Sequence, residues 1–245
     1  PELARIGVDD NWIVLGAAVT HRDSLSAVTP DYPELSELIE RFGATQVRSQ
    51  GTVAGNIANA SPIGDWPPVL LALEGRLRLQ CASGTRDIAL SEFFLDYRTT
   101  SLQPGEFISQ VLIPRRQHEL LLRAYKISKR YEDDISSVCG VFALELEGER
   151  IRTARGAFGG MAAIPKRAAH CEEALRGLHL REDSLDVSAA LALDFEPISD
   201  ARASAEYRRT VAAKLLLRLQ FEYLGEHATR VHASGAATDR TGIHA

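Results

Sequence analysis

Apolar and polar positions divide the chain into two patterns. In the first half, positions 12–19 form a continuous apolar run ending at Thr20 and His21, which predicts a buried strand. Across 33–42, Leu35, Leu38, Ile39 and Phe42 share one face at helical spacing, and Pro33 suits the first turn. A short helix is expected from Asp65, a candidate cap, through Pro67 and Pro68 to Glu74. Strands are predicted at 76–81 and 85–90 around the Ser83-Gly84 turn signal, and at 107–113. The proline and charges of 114–118 then read as a boundary. Beyond it, strands are predicted at 119–128, 137–145 and 150–160, with Gly148 in a hairpin turn between the last two. Helices follow at 165–176, 184–193 and 204–224. In the last, Val211, Leu215 and Leu219 form a stripe joined by Ala212, Leu216 and Tyr223, and Gly225 is the stop. Strands followed by helices predict an α+β unit in which three antiparallel strands are covered on one face. Residues 226–245 lack periodicity and are expected to form a mobile tail. There is no internal repeat.

Composition narrows this picture mainly by exclusion. The 245 residues, 45% hydrophobic and 25% charged, suit a globular protein of one or two domains. A net charge of −5 disfavours coating of nucleic acid. No run approaches the roughly 20 apolar residues of a membrane span, and 1–5 lacks a signal-peptide layout. The chain begins at Pro1 and its only methionine is Met161, so either an initiator was clipped or this is a piece of something longer. Cys81, Cys139 and Cys171 have no metal-site spacing; they are expected to be reduced, small buried hydrophobes in a cytoplasmic setting. No bound metal and no catalytic side chain are expected. The histidines are scattered and a Gly-x-Ser-x-Gly elbow is absent, which disfavours hydrolase chemistry.

The most unusual stretch is 42–65, mostly small and polar residues between two predicted helices, and expected to be a long functional loop. Gly51, Thr52, Gly55 and Asn56 can gather backbone N–H groups into an anion site beside hydroxyl and amide donors. It is neither a Walker loop nor Gly-x-Gly-x-x-Gly. A tight surface loop and a nucleotide-binding loop both satisfy this composition.

The run 46–57 leading into 60–65 resembles the second flavin-binding segment of the molybdenum hydroxylases, as in xanthine dehydrogenase small subunits. Positions 97–100, 104–108, 126–135, 137–142, 157–162 and 165–168 also resemble that family, in its order, over about 1–224. The resemblance implies the second part of a PCMH-type FAD-binding domain at 1–115. A CO dehydrogenase flavoprotein C-terminal-like domain is implied at 116–225. It implies that Phe42 and Ile108 sandwich the adenine ring, and that Thr52, Val53, Ala54, Gly55 and Asn56 meet the FAD diphosphate. Asp65 would be a cofactor-contacting carboxylate, and Lys126 would lie near the ring side of the flavin. Tyr97, Arg130 and Asp133 would face the electron acceptor, in and around the charged stretch 128–135.

The family's first flavin loop, a Gly-Gly-Thr-Asp or Gly-Asn-Thr type, is not found in these residues, nor are cysteine-rich iron–sulfur segments or a molybdopterin portion. The resemblance therefore implies a partial FAD site. Its 2Fe–2S clusters and molybdopterin would lie in partner segments of a hetero-oligomer, and electrons would pass through FAD to NAD. With one of two donor loops gone, the isolated chain is expected to hold FAD poorly. The alternatives are a flavin-free interaction domain, or the flavoprotein part of a relative that oxidises carbon monoxide or an aldehyde.

Overall fold

The computed structural model describes residues 2–225. In chain order the first part comprises β1 (Ile6–Val8), β2 (Trp12–Gly16), α1 (His21–Val28), α2 (Ser36–Glu40), α3 (Thr45–Gln50), α4 (Val53–Ala58), α5 (Trp66–Ala72), β3 (Arg76–Cys81), β4 (Gly84–Ala89), β5 (Phe94–Asp96), β6 (Thr99–Thr100) and β7 (Phe107–Pro114). The second part comprises β8 (Leu121–Ile127), β9 (Val138–Glu147), β10 (Arg150–Gly159), β11 (Lys166–Arg167), α6 (Ala169–Leu175), α7 (Ser188–Asp194) and α8 (Ala205–Leu224).

The first sheet is antiparallel throughout, in the order β1-β2-β7-β3-β4. Ile13 and Leu15 of β2, Val111 and Ile113 of β7, and Leu77 and Leu79 of β3 are buried in one core with Val53, Ile57 and Leu70. The predicted strand at 12–19 stops at Gly16. There the chain before β1 folds back against it, and a Cβ at 16 would lie 2.2 Å from the Leu3 carbonyl oxygen. Only glycine permits that approach. Ala17–Val19 leave the sheet to reach Thr20, which caps α1 by accepting the Asp23 N–H at 3.0 Å.

Two expectations for 33–65 are corrected. The stripe of 33–42 is a 3-10 turn (Pro33–Leu35) followed by the short α2, with Leu35, Leu38 and Ile39 buried but Phe42 only half-buried. The expected long loop contains α3 and α4, because Thr52 supplies an N-cap that small residues alone do not advertise.

The second sheet runs β11-β10-β9-β8, one short strand more than expected. It is also covered on both faces, not one. Val138, Phe142 and Leu144 of β9 face a core shared with α6, α7 and α8. The alternate residues Cys139, Val141 and Ala143 join the core of the first part. Period-two alternation therefore buries both sides of β9, which explains its unbroken apolar sequence. Helix α8 ends at Gly225 in the left-handed region, φ +74°, as the sequence predicts, and Ser204 caps its start. Cys139 and Cys171 are buried free thiols, whereas Cys81 is half-exposed beside Ser83, against expectation. The tail expected at 226–245 lies outside the described residues. No described helix is long and apolar enough to cross a membrane.

Candidate functional site

The glycine-rich segment is a helix start whose donors are largely committed. Thr52 Oγ1 accepts the Gly55 N–H at 3.0 Å, and Val53 N–H donates to the Val19 carbonyl at 3.2 Å. The side chains of Val53 and Ala54 are buried in the core. What remains for a ligand is the Thr52 hydroxyl hydrogen and the Ala54 N–H, with Gly55 exposed between them. A Cβ on Gly55 would sit 2.8 Å from Thr52 Oγ1, so glycine is needed for the cap to close.

Beside this turn a cleft of about 350 Å³ brings together segments distant in sequence. Phe42, Asn56 and Asp65 from the first part line it, as do Lys126 and Asp133 from the second. Ile63, Asp134 and Ile135 complete its character: apolar walls carrying three carboxylates and one ammonium. Asn56 Oδ1 accepts the Trp66 N–H at 3.4 Å, which leaves its NH2 group as a donor.

The base of the cleft is a buried polar triad. Lys126 Nζ lies 2.7 Å from Asp65 Oδ2, with side chains 2% and 6% exposed. Ser136 joins both: its hydroxyl accepts from Lys126 at 2.9 Å and donates to Asp65 Oδ1 at 2.5 Å. Asp65 thus heads α5 without capping it, contrary to the sequence expectation. A backbone N–H is the lesser attraction when an ammonium is within reach in a dry site. Burial, reinforced by the Asp65 carboxylate, pushes the neighbouring Cys139 thiol well up, so it is inert at neutral pH.

The other predicted residues are distributed around this centre. Ile108 is 5% exposed in the first core, against which the half-buried Phe42 also packs. Tyr97 is 57% exposed and lines a second cavity of about 280 Å³, which shares Ile63 with the first. Arg130 is exposed and folds onto its own loop, donating to the Asp133 carbonyl at 2.7 Å. Asp133 has φ +54°, a left-handed backbone that costs a residue other than glycine, at the point where the loop meets the cleft.

Sequence reasoning missed three contributors: Ser136, Arg41 and His21. Arg41 pins the 128–135 loop to α2, donating to the Tyr131 carbonyl at 3.1 Å and Ser128 Oγ at 3.3 Å, with its guanidinium 4.6 Å from the Tyr131 ring centre. The ring of His21, 2% exposed, lies 3.9 Å from that of Phe42, and Trp66 Nε1–H donates to His21 Nδ1 at 2.9 Å. Position 21 carried no local signal, since a histidine after an apolar run is equally at home on a surface.

Burial lowers the His21 pKa from 6.5 to about 4. Between those values the unfolded chain takes up a proton that the folded chain refuses. The contribution of His21 is therefore intact above pH 6.5 and lost as the pH falls towards 4. Urea midpoints of the wild-type chain should drop over this window by the equivalent of roughly 2–3 kcal/mol. The drop should be smaller in His21→Gln; equal slopes would show that other groups control it.

Residues 1–116 match the FAD binding domain in molybdopterin dehydrogenase, and 123–222 match the CO dehydrogenase flavoprotein C-terminal domain. The glyceraldehyde dehydrogenase medium chain of Sulfolobus acidocaldarius is 31% identical over 220 residues, covering 89% of this chain and 78% of the relative. The chain belongs to the FAD-binding medium-subunit family of the molybdenum hydroxylases. Xanthine dehydrogenase of Blastobotrys adeninivorans is 32% identical over 226 residues; this FAD-subunit chain spans 88% of itself there but 16% of that much longer relative. The carbon monoxide dehydrogenase of Hydrogenophaga pseudoflava superposes with a TM-score of 0.83 at 26% identity, covering 89% of this chain and 77% of that one.

The FAD subunit can be tested for fit to its cofactor from its own residues. Three carboxylates against one ammonium make the cleft unfavourable for a diphosphate and suitable for a neutral ring or polyol. The Thr52 hydroxyl and Ala54 N–H, donors with no carboxylate of their own turn beside them, suit the diphosphate. The residues present fit one flank of an FAD molecule.

Proposed function

We propose that this FAD subunit holds FAD with its ring system in the cleft above the Asp65–Lys126–Ser136 triad, and passes electrons from the 2Fe–2S clusters of a partner to NAD. The convergence of Phe42, Asn56, Asp65, Lys126 and Asp133 on one cleft, from two segments far apart in the chain, carries this reading. FAD, when bound, accepts electrons singly or in pairs and delivers a hydride.

Each role for the chain follows from its position. Phe42 offers a flat face to the ring. Asn56 donates from its NH2 group, and the Thr52 hydroxyl with the Ala54 N–H receives the diphosphate; Gly55, without a side chain, leaves the approach open, and Val53 anchors the turn. Lys126 favours a more negative ring and Asp65 moderates that pull, so the pair sets the electrostatic level beneath it. Ile108 is the apolar partner of Phe42 for the adenine ring, as its place in the same core allows. On the acceptor side, Tyr97 stands in the neighbouring cavity across Ile63, and Arg130 and Asp133 shape the loop between cleft and solvent. No side chain is needed as nucleophile or base. The full assembly is read as a cytoplasmic hetero-oligomer with iron–sulfur and molybdopterin partners, and its oxidised substrate is set outside this chain.

The test is flavin retention and NADH-dependent dye reduction in the full assembly. Wild type should carry FAD and reduce dye, and Asn56→Ala should weaken FAD by about tenfold. A well-folded assembly silent in both assays would favour the flavin-free interaction domain instead.

A further inference from the structure

Helices α1, α2 and α3 enclose a pocket that the flavin reading does not use. Its volume is about 280 Å³, and His21, Arg22, Leu25, Ile39, Thr45 and Arg48 line it. Phe42 stands between this pocket and the flavin cleft, for it lines the cleft and its ring lies 3.9 Å from that of His21.

The chemistry of the lining is one-sided. Because the Trp66 indole Nε1–H donates to His21 Nδ1, the ring proton of the neutral imidazole sits on Nε2. Burial, which lowers its pKa to about 4, keeps the ring in that neutral state. Nε2–H finds no acceptor among the described residues, although the side chain is 2% exposed and forms part of the pocket wall. Nε2 is not among the fully buried unpartnered atoms of the described residues, so this donor keeps accessible surface at the pocket wall and is free to meet an acceptor there. Arg22 is exposed and has no ion pair among the described residues. Arg48 spends Nη1 on the Gly43 carbonyl at 2.6 Å and Nη2 on Thr45 Oγ1 at 3.2 Å, which fixes its charge at the pocket wall. Glu40 is the opposing carboxylate, exposed on the rim. Leu25 and Ile39 supply an apolar wall.

We propose that this pocket is a binding site for a small oxyanion ligand, a carboxylate or phosphate, held by His21 Nε2–H and the guanidinium groups of Arg22 and Arg48. A carboxylate or phosphate oxygen is the acceptor His21 lacks, and the two cations outweigh the one rim carboxylate. Ligand contact is felt by Trp66 through the imidazole, and by Phe42 through its contact with the His21 ring. The donors of this pocket are in place whether or not the cleft holds FAD.

The indole N–H of Trp66 gives a direct readout. Proton–nitrogen correlation spectra of the full chain are followed during titration with sodium phosphate, sodium butyrate and, at matched ionic strength, sodium chloride. Trp12→Phe identifies the Trp66 signal, since these are the two tryptophans of the chain. The expected result is a saturable shift with phosphate, butyrate or both, and none with chloride. Response to one anion alone assigns the site to that class. Arg22→Ala should weaken the apparent Kd about fivefold or more, and Glu40→Gln should tighten it. Both residues are exposed, so the fold should survive either change. No saturable shift with phosphate or butyrate overturns the proposal, as does a shift unchanged by both substitutions.

Discussion

Lys126→Met is expected to destabilise the folded chain by about 3–5 kcal/mol, because it strands the Asp65 carboxylate in a dry site. Ser136 could still donate to Asp65, but a neutral hydroxyl replaces only part of what an ammonium provides. The pair also joins the two parts of the chain, with Asp65 at the head of α5 and Lys126 in β8. Urea unfolding at pH 7 measures the loss. The double variant Asp65→Asn with Lys126→Met should recover much of it, since no unpaired charge then remains buried. Wild-type stability should depend little on added salt at this pair, which is shielded from solvent. A loss under about 1 kcal/mol in the single variant would mean that water reaches the pair, and that its charge balance is not fixed beneath the cleft.

Arg208→Ala should cost about as much, again roughly 3–5 kcal/mol. This arginine is 2% exposed in the first turn of α8. It donates to the carbonyls of Ser137 and Gly160, the latter at 3.0 Å, and to Asp200 Oδ1 at 2.7 Å. The two carbonyls adjoin the start of β9 and the end of β10, so one side chain ties α8 to the open end of that hairpin. Gly160 has φ +82°, and a Cβ there would fall 2.3 Å from the Ser137 oxygen. Gly160→Ala should therefore be destabilising as well, by backbone strain and collision in place of lost donors. Thermal unfolding of both variants tests the arrangement. Arg208→Ala with a near-native melting temperature would show that other contacts hold the helix.

Helices and strands were readable where periodicity is set locally. The stripe Leu215, Leu219 and the Gly225 stop placed α8 within a residue, because both signals lie within one element. The hairpin at Gly148 was legible for the same reason: its φ of +61° suits glycine. Short elements stabilised from elsewhere were not. β11 has two residues and exists through pairing with β10, and α3 and α4 are each six residues, too brief to carry a stripe. The β9 sequence predicts a strand but not its second covered face, since a continuous apolar run does not say how many layers pack on it.

The same division runs through the candidate site. Sequence alone determined the order of the elements, the small-residue turn at Thr52–Asn56 and, by ordered motifs, the family. Residue type and spacing carry that information, because backbone geometry at a cap or turn depends on its own few residues. Tertiary structure alone decided that Asp65 would pair with Lys126 through Ser136 instead of capping α5. It also set His21 against Phe42, and Ile108 in the core behind them. Those outcomes depend on which groups share a dry volume, and burial makes a charge seek its strongest available partner however far along the chain that partner lies.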